Sequence, residues 1–98
     1  MWKPILLGGL FRSIGTPDIP LHAMAPAKQR YMLKDLHDQA GRFGVGFSFT
    51  THFPLRTILP LRVSIVEPRT IPALYKAAWV DDQDLGHPEV VRRVLDAA

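Results

Sequence analysis

The sequence predicts a mostly α chain with one short β-strand at its start, and three observations carry that expectation. Apolar Met32, Leu33, Leu36, Ala40 and Phe43 recur with helical spacing through the stretch Ala25 to Phe43, marking one face of a long helix. Further helical stretches carry a proline near the start, Pro60 in Thr57–Val66, Pro72 in Thr70–Trp79 and Pro88 in the last eleven residues. A missing N–H costs little there. Finally, Trp2, Ile5, Leu6 and Leu7 form a brief apolar run closed by Gly8-Gly9, which reads as a strand because it is too short for a helix.

In chain order, that strand is demoted by Pro4, which cannot donate to a ladder. Leu10 and Phe11 resume the apolar pattern as a short helical turn. Arg12 to Met24 contains Gly15, Pro17 and Pro20 without periodicity and reads as a loop, of a length that in compact domains usually serves function or is disordered. The long helix follows, its apolar face expected to be buried, with Pro26 in its first turn and Gly41 placed to end it in a left-handed conformation. Gly44 to Phe49 alternates apolar with small or polar residues and reads either as a short strand or as an extended connection into His52-Phe53-Pro54. The Thr57 helix is followed by one that Thr70 can cap, reaching Trp79 before Asp81, Asp82 and Asp84 break it. The last helix buries Val90, Val91, Val94, Leu95 and Ala98, wets Arg92 and Arg93, and has Asp84 or a neighbouring acid before its start.

Composition bounds the function. At 98 residues, with 47% hydrophobic and 21% charged residues, the chain is at most one small domain and is not of disordered type. It has no cysteine, which removes disulfides, thiolate chemistry and cysteine-based zinc sites and is compatible with a reducing compartment. No apolar segment approaches the ~20 residues of a membrane span, and Met1 to Phe11 lacks the pattern of a signal peptide. Residues 1–62 hold eight Lys or Arg against three acids, whereas residues 63–98 hold four against six. The first part is therefore the anion-seeking part. Without a basic stripe, interleaved aromatics or an RNP-like motif, a nucleic-acid partner is not expected.

The long helix concentrates that preference. Its first turn presents Lys28 and Arg30 and no acid before Asp35, although a helix N-terminus favours negative charge. Lys28 is thus a candidate point charge for a carboxylate or phosphate, against the plainer reading of two solvated cations. Other chemistry finds less support. His22, His37, His52 and His87 have no metal-ligand spacing, so no metal site is expected, and the acids at 81, 82 and 84 lack the glycine and closing Glu of a calcium loop. Ser13, Ser48 and Ser64 lack a nucleophile-elbow context. Trp79, Phe53 and Tyr31 read as core or pocket-wall aromatics.

Several motifs then read together in order: KPILLGGLF, G-T-P, PAKQRYMLKDL, HFP followed by T-x-L, AAWV and DLGHPEVVRRVLDAA. In that order and spacing the chain resembles 2-hydroxychromene-2-carboxylate isomerases and the related kappa-class glutathione transferases of the DsbA-like thioredoxin superfamily. The resemblance implies an internal fragment of such a protein. Residues 1–11 would hold the second strand of a split thioredoxin-like domain, and residues 12–98 part of its helical insertion. The family's catalytic serine would lie before Met1 and its cis-proline segment after Ala98, so no catalytic residue is expected within the chain and the fragment alone is expected to be inactive.

The resemblance further implies glutathione as cofactor, contacted by Lys28 of the P-x-K and by Thr16, which stands where the family usually has Asn. Arg56 replaces the family's usual Asn after HFP-x, and with Trp79 it falls on the substrate side, facing a small aromatic carboxylate. The implied reaction is reversible addition of the glutathione thiolate, bond rotation and release of glutathione, in aromatic-compound catabolism. A cytoplasmic homodimer is implied for the complete protein. The alternatives are a kappa-type transferase, a DsbA-family oxidoreductase, which the lack of any CxxC opposes, and a non-catalytic helical interaction module.

Overall fold

Proline placement sets where most of the helices begin. The computed structural model describes residues 2–17 and 19–98. Five α-helices follow one another: α1 (Leu7–Ser13), α2 (Pro26–Phe43), α3 (Ile58–Val66), α4 (Ile71–Trp79) and α5 (Pro88–Ala97). Short 3₁₀ turns occupy Pro20–Ala23 and Pro68–Thr70. In α2, α4 and α5 a proline stands at the first or second position, where its missing N–H would have had no intrahelical partner. The chain is mostly α, as the sequence predicts.

The expected Trp2–Leu7 strand does not form. Residues 2–6 have no regular structure, Leu7 opens α1, and no strand occurs among the described residues. A strand exists only through its ladder, and nothing described here supplies a partner, while Pro4 removes one donor. Gly44–Phe49 is likewise a connection without a ladder. The chain divides into two units, Met1–Leu6 with Ser48–Ala98, and Leu7–Phe47.

The Leu7–Phe47 unit holds α1, a 3₁₀ turn and α2. The stretch read as a loop is partly ordered: α1 runs to Ser13, whose hydroxyl donates to the Leu10 carbonyl at 2.8 Å, and Pro20–Ala23 makes the 3₁₀ turn. α2 passes through Gly41 and ends at Gly44 instead, where φ is 67°. The Gly44 N–H donates to the Gly41 carbonyl at 3.3 Å and the Val45 N–H to Ala40 at 3.0 Å, the paired bonds of a Schellman motif. Arg42 and Phe43 tolerate helix, so the later glycine takes the left-handed position. The expected burial of the α2 stripe does not occur: Met32, Leu33 and Ala40 are half-buried, Leu36 is exposed and Phe43 is 74% exposed. The reason is supply, because the unit offers a helix of about 27 Å only the short α1 and one 3₁₀ turn as cover.

The other unit has the core. Leu74, Ala77 and Ala78 of α4, Leu85, and Val91 of α5 are buried, with Leu59, Val63, Trp79 and Leu95 packed against them. Ala98 lies beyond α5 and is exposed, so it does not extend the buried face. In α3 the buried residues are Pro60 and Ser64, one turn apart, and the Ser64 hydroxyl donates to the Pro60 carbonyl at 2.8 Å. Thr70 precedes α4 without capping it. The 3₁₀ turn runs straight into α4, Thr70 is already helical, and its hydroxyl donates backward to the Glu67 carbonyl at 2.7 Å. Asp84 serves a turn rather than a cap, its Oδ1 accepting the Gly86 N–H at 2.9 Å.

Candidate functional site

Within the Met1–Leu6 and Ser48–Ala98 unit, α3, α4 and the segment leading into α3 surround an apolar cavity of about 130 Å³, walled by Leu55, Leu61, Ile71, Leu74, Ala78 and Trp79. Apolar cavities of about 150 Å³ accept a benzene-sized ring, so the space suits one ring. Trp79 is held from behind by Phe49, whose ring meets the indole edge-on at 5.5 Å between centroids, and Phe53 stacks at a tilt on Phe49 at 5.1 Å. The Trp79 carbonyl accepts the Ser48 N–H at 2.6 Å, tying the connection to the end of α4.

A wider cleft of about 440 Å³ shares Leu55 and Thr57 with that cavity. Its other walls include Ile58 and Leu59 at the start of α3, Gly86, and the two cations Arg56 and Arg62. Among the described residues no acid lines it. The Arg56 stem crosses Gly86 so closely that a Cβ there would stand 3.1 Å from the Arg56 Cβ and 3.4 Å from its Cδ. Arg56 and Trp79, singled out on the sequence, thus border neighbouring spaces with common walls. Arg62 was missed, although Ile58, Leu59 and Arg62 fall at i, i+1 and i+4 of one helix, a spacing that puts them on one face.

A polar junction lies in the same unit. The Asp82 carboxylate accepts the Thr51 N–H at 2.8 Å, the Thr51 hydroxyl at 2.7 Å and the Thr50 hydroxyl at 3.1 Å. These bonds, the Thr51 amide first, hold the Asp82 carboxyl below its ordinary value of 3.8. Asp82 adopts a φ of 52°, in the left-handed region that Asp tolerates better than most residues. Beside it, Asp84 faces two histidines: His87 Nε2 lies 3.2 Å and His52 Nδ1 3.9 Å from Asp84 Oδ2. Sequence reasoning had no signal for this junction, because about thirty residues separate its halves. Among the described residues no three His, Asp or Glu form a group that could hold a metal ion.

Lys28 and Thr16 belong to the other unit. Lys28 is exposed in the first turn of α2, which contains no acid, and makes no ion pair among the described residues. Thr16 is half-buried, and its N–H donates to the Phe11 carbonyl at 2.9 Å. Among the described residues no hydrogen bond joins the two side chains.

The sequence matches the model of a known family along residues 1–98. The chain belongs to the DSBA-like thioredoxin domain family. No curated protein and no solved structure matches it. For this DSBA-like chain, membership supports a thioredoxin-fold oxidoreductase, isomerase or transferase, and the mostly helical architecture fits a helical part of that fold. No helix among the described residues is long and apolar enough to cross a membrane.

Proposed function

We propose that this chain forms part of a glutathione-dependent isomerase of 2-hydroxychromene-2-carboxylate type. The observation that carries the reading is the ring-sized cavity at Trp79 sharing walls with a cleft whose charged groups are both arginines. An aromatic acid has the same two parts. Trp79, Leu55 and Leu61 would take the ring and exclude water from it, and the Arg56 guanidinium would take the carboxylate with a charge-assisted hydrogen bond.

Glutathione carries carboxylates, and the residues of α2 fit one: Lys28 is exposed, free of ion pairs among the described residues, and stands in a first turn without acids. Thr16 would add a hydroxyl where relatives usually have an amide, and so fewer hydrogen bonds. When bound, glutathione supplies the thiolate that makes isomerisation about a substrate double bond possible. The hydroxyl that stabilises the thiolate, a homodimeric state and a cytoplasmic location are further parts of this proposal and belong to the complete protein.

Two measurements test it. Calorimetric titration of glutathione into the protein should show Lys28→Ala weakening binding by about 1–3 kcal/mol, the range for a lost hydrogen bond to a charged group. Turnover of 2-hydroxychromene-2-carboxylate by the protein that carries this chain should require glutathione. Equal rates with and without the thiol, or no turnover with it, would reject the proposal.

A further inference from the structure

We propose that Arg56 and Arg62 act together as a two-guanidinium clamp for a single carboxylate, with Gly86 as the positioning residue that sets the Arg56 stem. The inference rests on the reading of Arg56 as substrate-facing and extends it to two residues that the sequence did not single out.

The charge pattern is the first reason. Arg56 and Arg62 line one cleft, and neither guanidinium makes a hydrogen bond or ion pair with any described residue. Two like charges in one cleft repel, and a carboxylate between them removes that repulsion. Asp84, which like the Arg56 stem lies beside Gly86, is engaged elsewhere: Oδ1 accepts the Gly86 N–H at 2.9 Å, while Oδ2 faces His87 at 3.2 Å and His52 at 3.9 Å. It does not neutralise the clamp from within.

Geometry is the second reason. A guanidinium presents a rigid fork of N–H donors that matches the two oxygens of a carboxylate, whereas an ammonium is only a point charge. Arg62 is carried on α3, and the Arg56 stem passes Gly86 at a place where an added Cβ would stand 3.1 Å from the Arg56 Cβ and equally close to Asp84 Oδ1, so that only glycine leaves the stem its present course. The turn beneath is itself pinned by Asp84. Because the cleft shares Leu55 and Thr57 with the Trp79 cavity, the acid that fits is one whose carboxylate is attached directly to a ring. A long aliphatic spacer would carry the ring past the shared wall.

Benzoate is the probe, with benzamide as its uncharged counterpart. In an NMR titration of the full chain, benzoate should move the amide signals of Thr57, Ile58 and Gly86 and the Trp79 indole signal, and benzamide should bind at least about tenfold more weakly. Arg62→Gln should weaken benzoate about tenfold, and Arg62→Lys should restore only part of that, since charge returns without the fork. Gly86→Ala should weaken it without removing any charge, by pushing the Arg56 stem away. If Arg56→Gln abolishes binding while Arg62→Gln leaves it unchanged, the clamp is wrong and the reading of Arg56 survives. If the unaltered chain does not bind benzoate, both fall. Equal binding of benzamide would overturn the clamp and, with it, the role of Arg56 toward the carboxylate.

Discussion

Asp82 shows what a single residue can do when its hydrogen bonds come from a distant part of the chain. Its carboxylate gathers the Thr51 amide and the hydroxyls of Thr50 and Thr51, which favour its charged form and lower its pKa below 3.8. A carboxyl whose folded value is depressed stabilises the fold above its unfolded pKa, and that contribution is lost as pH falls through the folded one. Asp82→Asn keeps a side chain that tolerates φ > 0 and removes the charge. The unfolding temperature of the variant should therefore lie below that of the unaltered chain near pH 5, and the gap should close on acidification below about pH 3.8. A gap that persists unchanged in strong acid would show that shape, not charge, is what Asn fails to replace. At this scale the sequence was partly legible. Arg56 and Trp79 stand in local motifs and came out as candidates, and Arg62 had a helical spacing that could have found it, whereas Asp82 and Gly86 draw their meaning from neighbours that no local spacing reveals.

At the scale of the element, proline was the reliable guide and glycine the misleading one. Pro26, Pro72 and Pro88 begin helices where expected, because a residue without an N–H is tolerated in only a few places. Gly41 and Gly44 both suit a helix end, and only the chain's further course decides between them. The strand at Trp2–Leu7 failed for a related reason: apolar content is local, but a ladder requires a second segment. The two glycines permit a matched test. A Cβ at either would meet nothing within 4 Å, so packing is equal and conformation alone differs. Gly44→Ala forces a side chain into the left-handed region and should destabilise α2 by about 1–2 kcal/mol. Gly41→Ala, inside the helix, should stabilise it by about 0.5–1 kcal/mol. Thermal unfolding followed by helical circular dichroism should shift in opposite directions for the two variants. A common direction would place the end of α2 elsewhere.

For the whole molecule, the decisive fact is how unevenly burial is distributed. Leu74, Ala77, Ala78, Leu85 and Val91, the buried apolar residues of the core, all come from α4, α5 and the segment that joins them, and no described residue from 7 to 47 is buried. Opening α2 locally therefore exposes little apolar surface that was not exposed already. Opening α4 removes the centre of the core, at about 25 cal/mol for each Å² of apolar surface returned to water. Amide hydrogen exchange on the dilute chain should accordingly be slowest in α4 and α5 and fastest through α1 and α2. The exposed apolar side chains add a condition. Phe43 and Trp2 are each 74% exposed and Val66 is 84% exposed, apolar surface that a second copy of the chain can cover. Raising the concentration should then bring self-association, visible in sedimentation, and with it slower exchange wherever the contact forms. α2 amides protected as strongly as those of α4, in a sample that sediments as a monomer, would show that the Leu7–Phe47 unit is held by more than the packing described here.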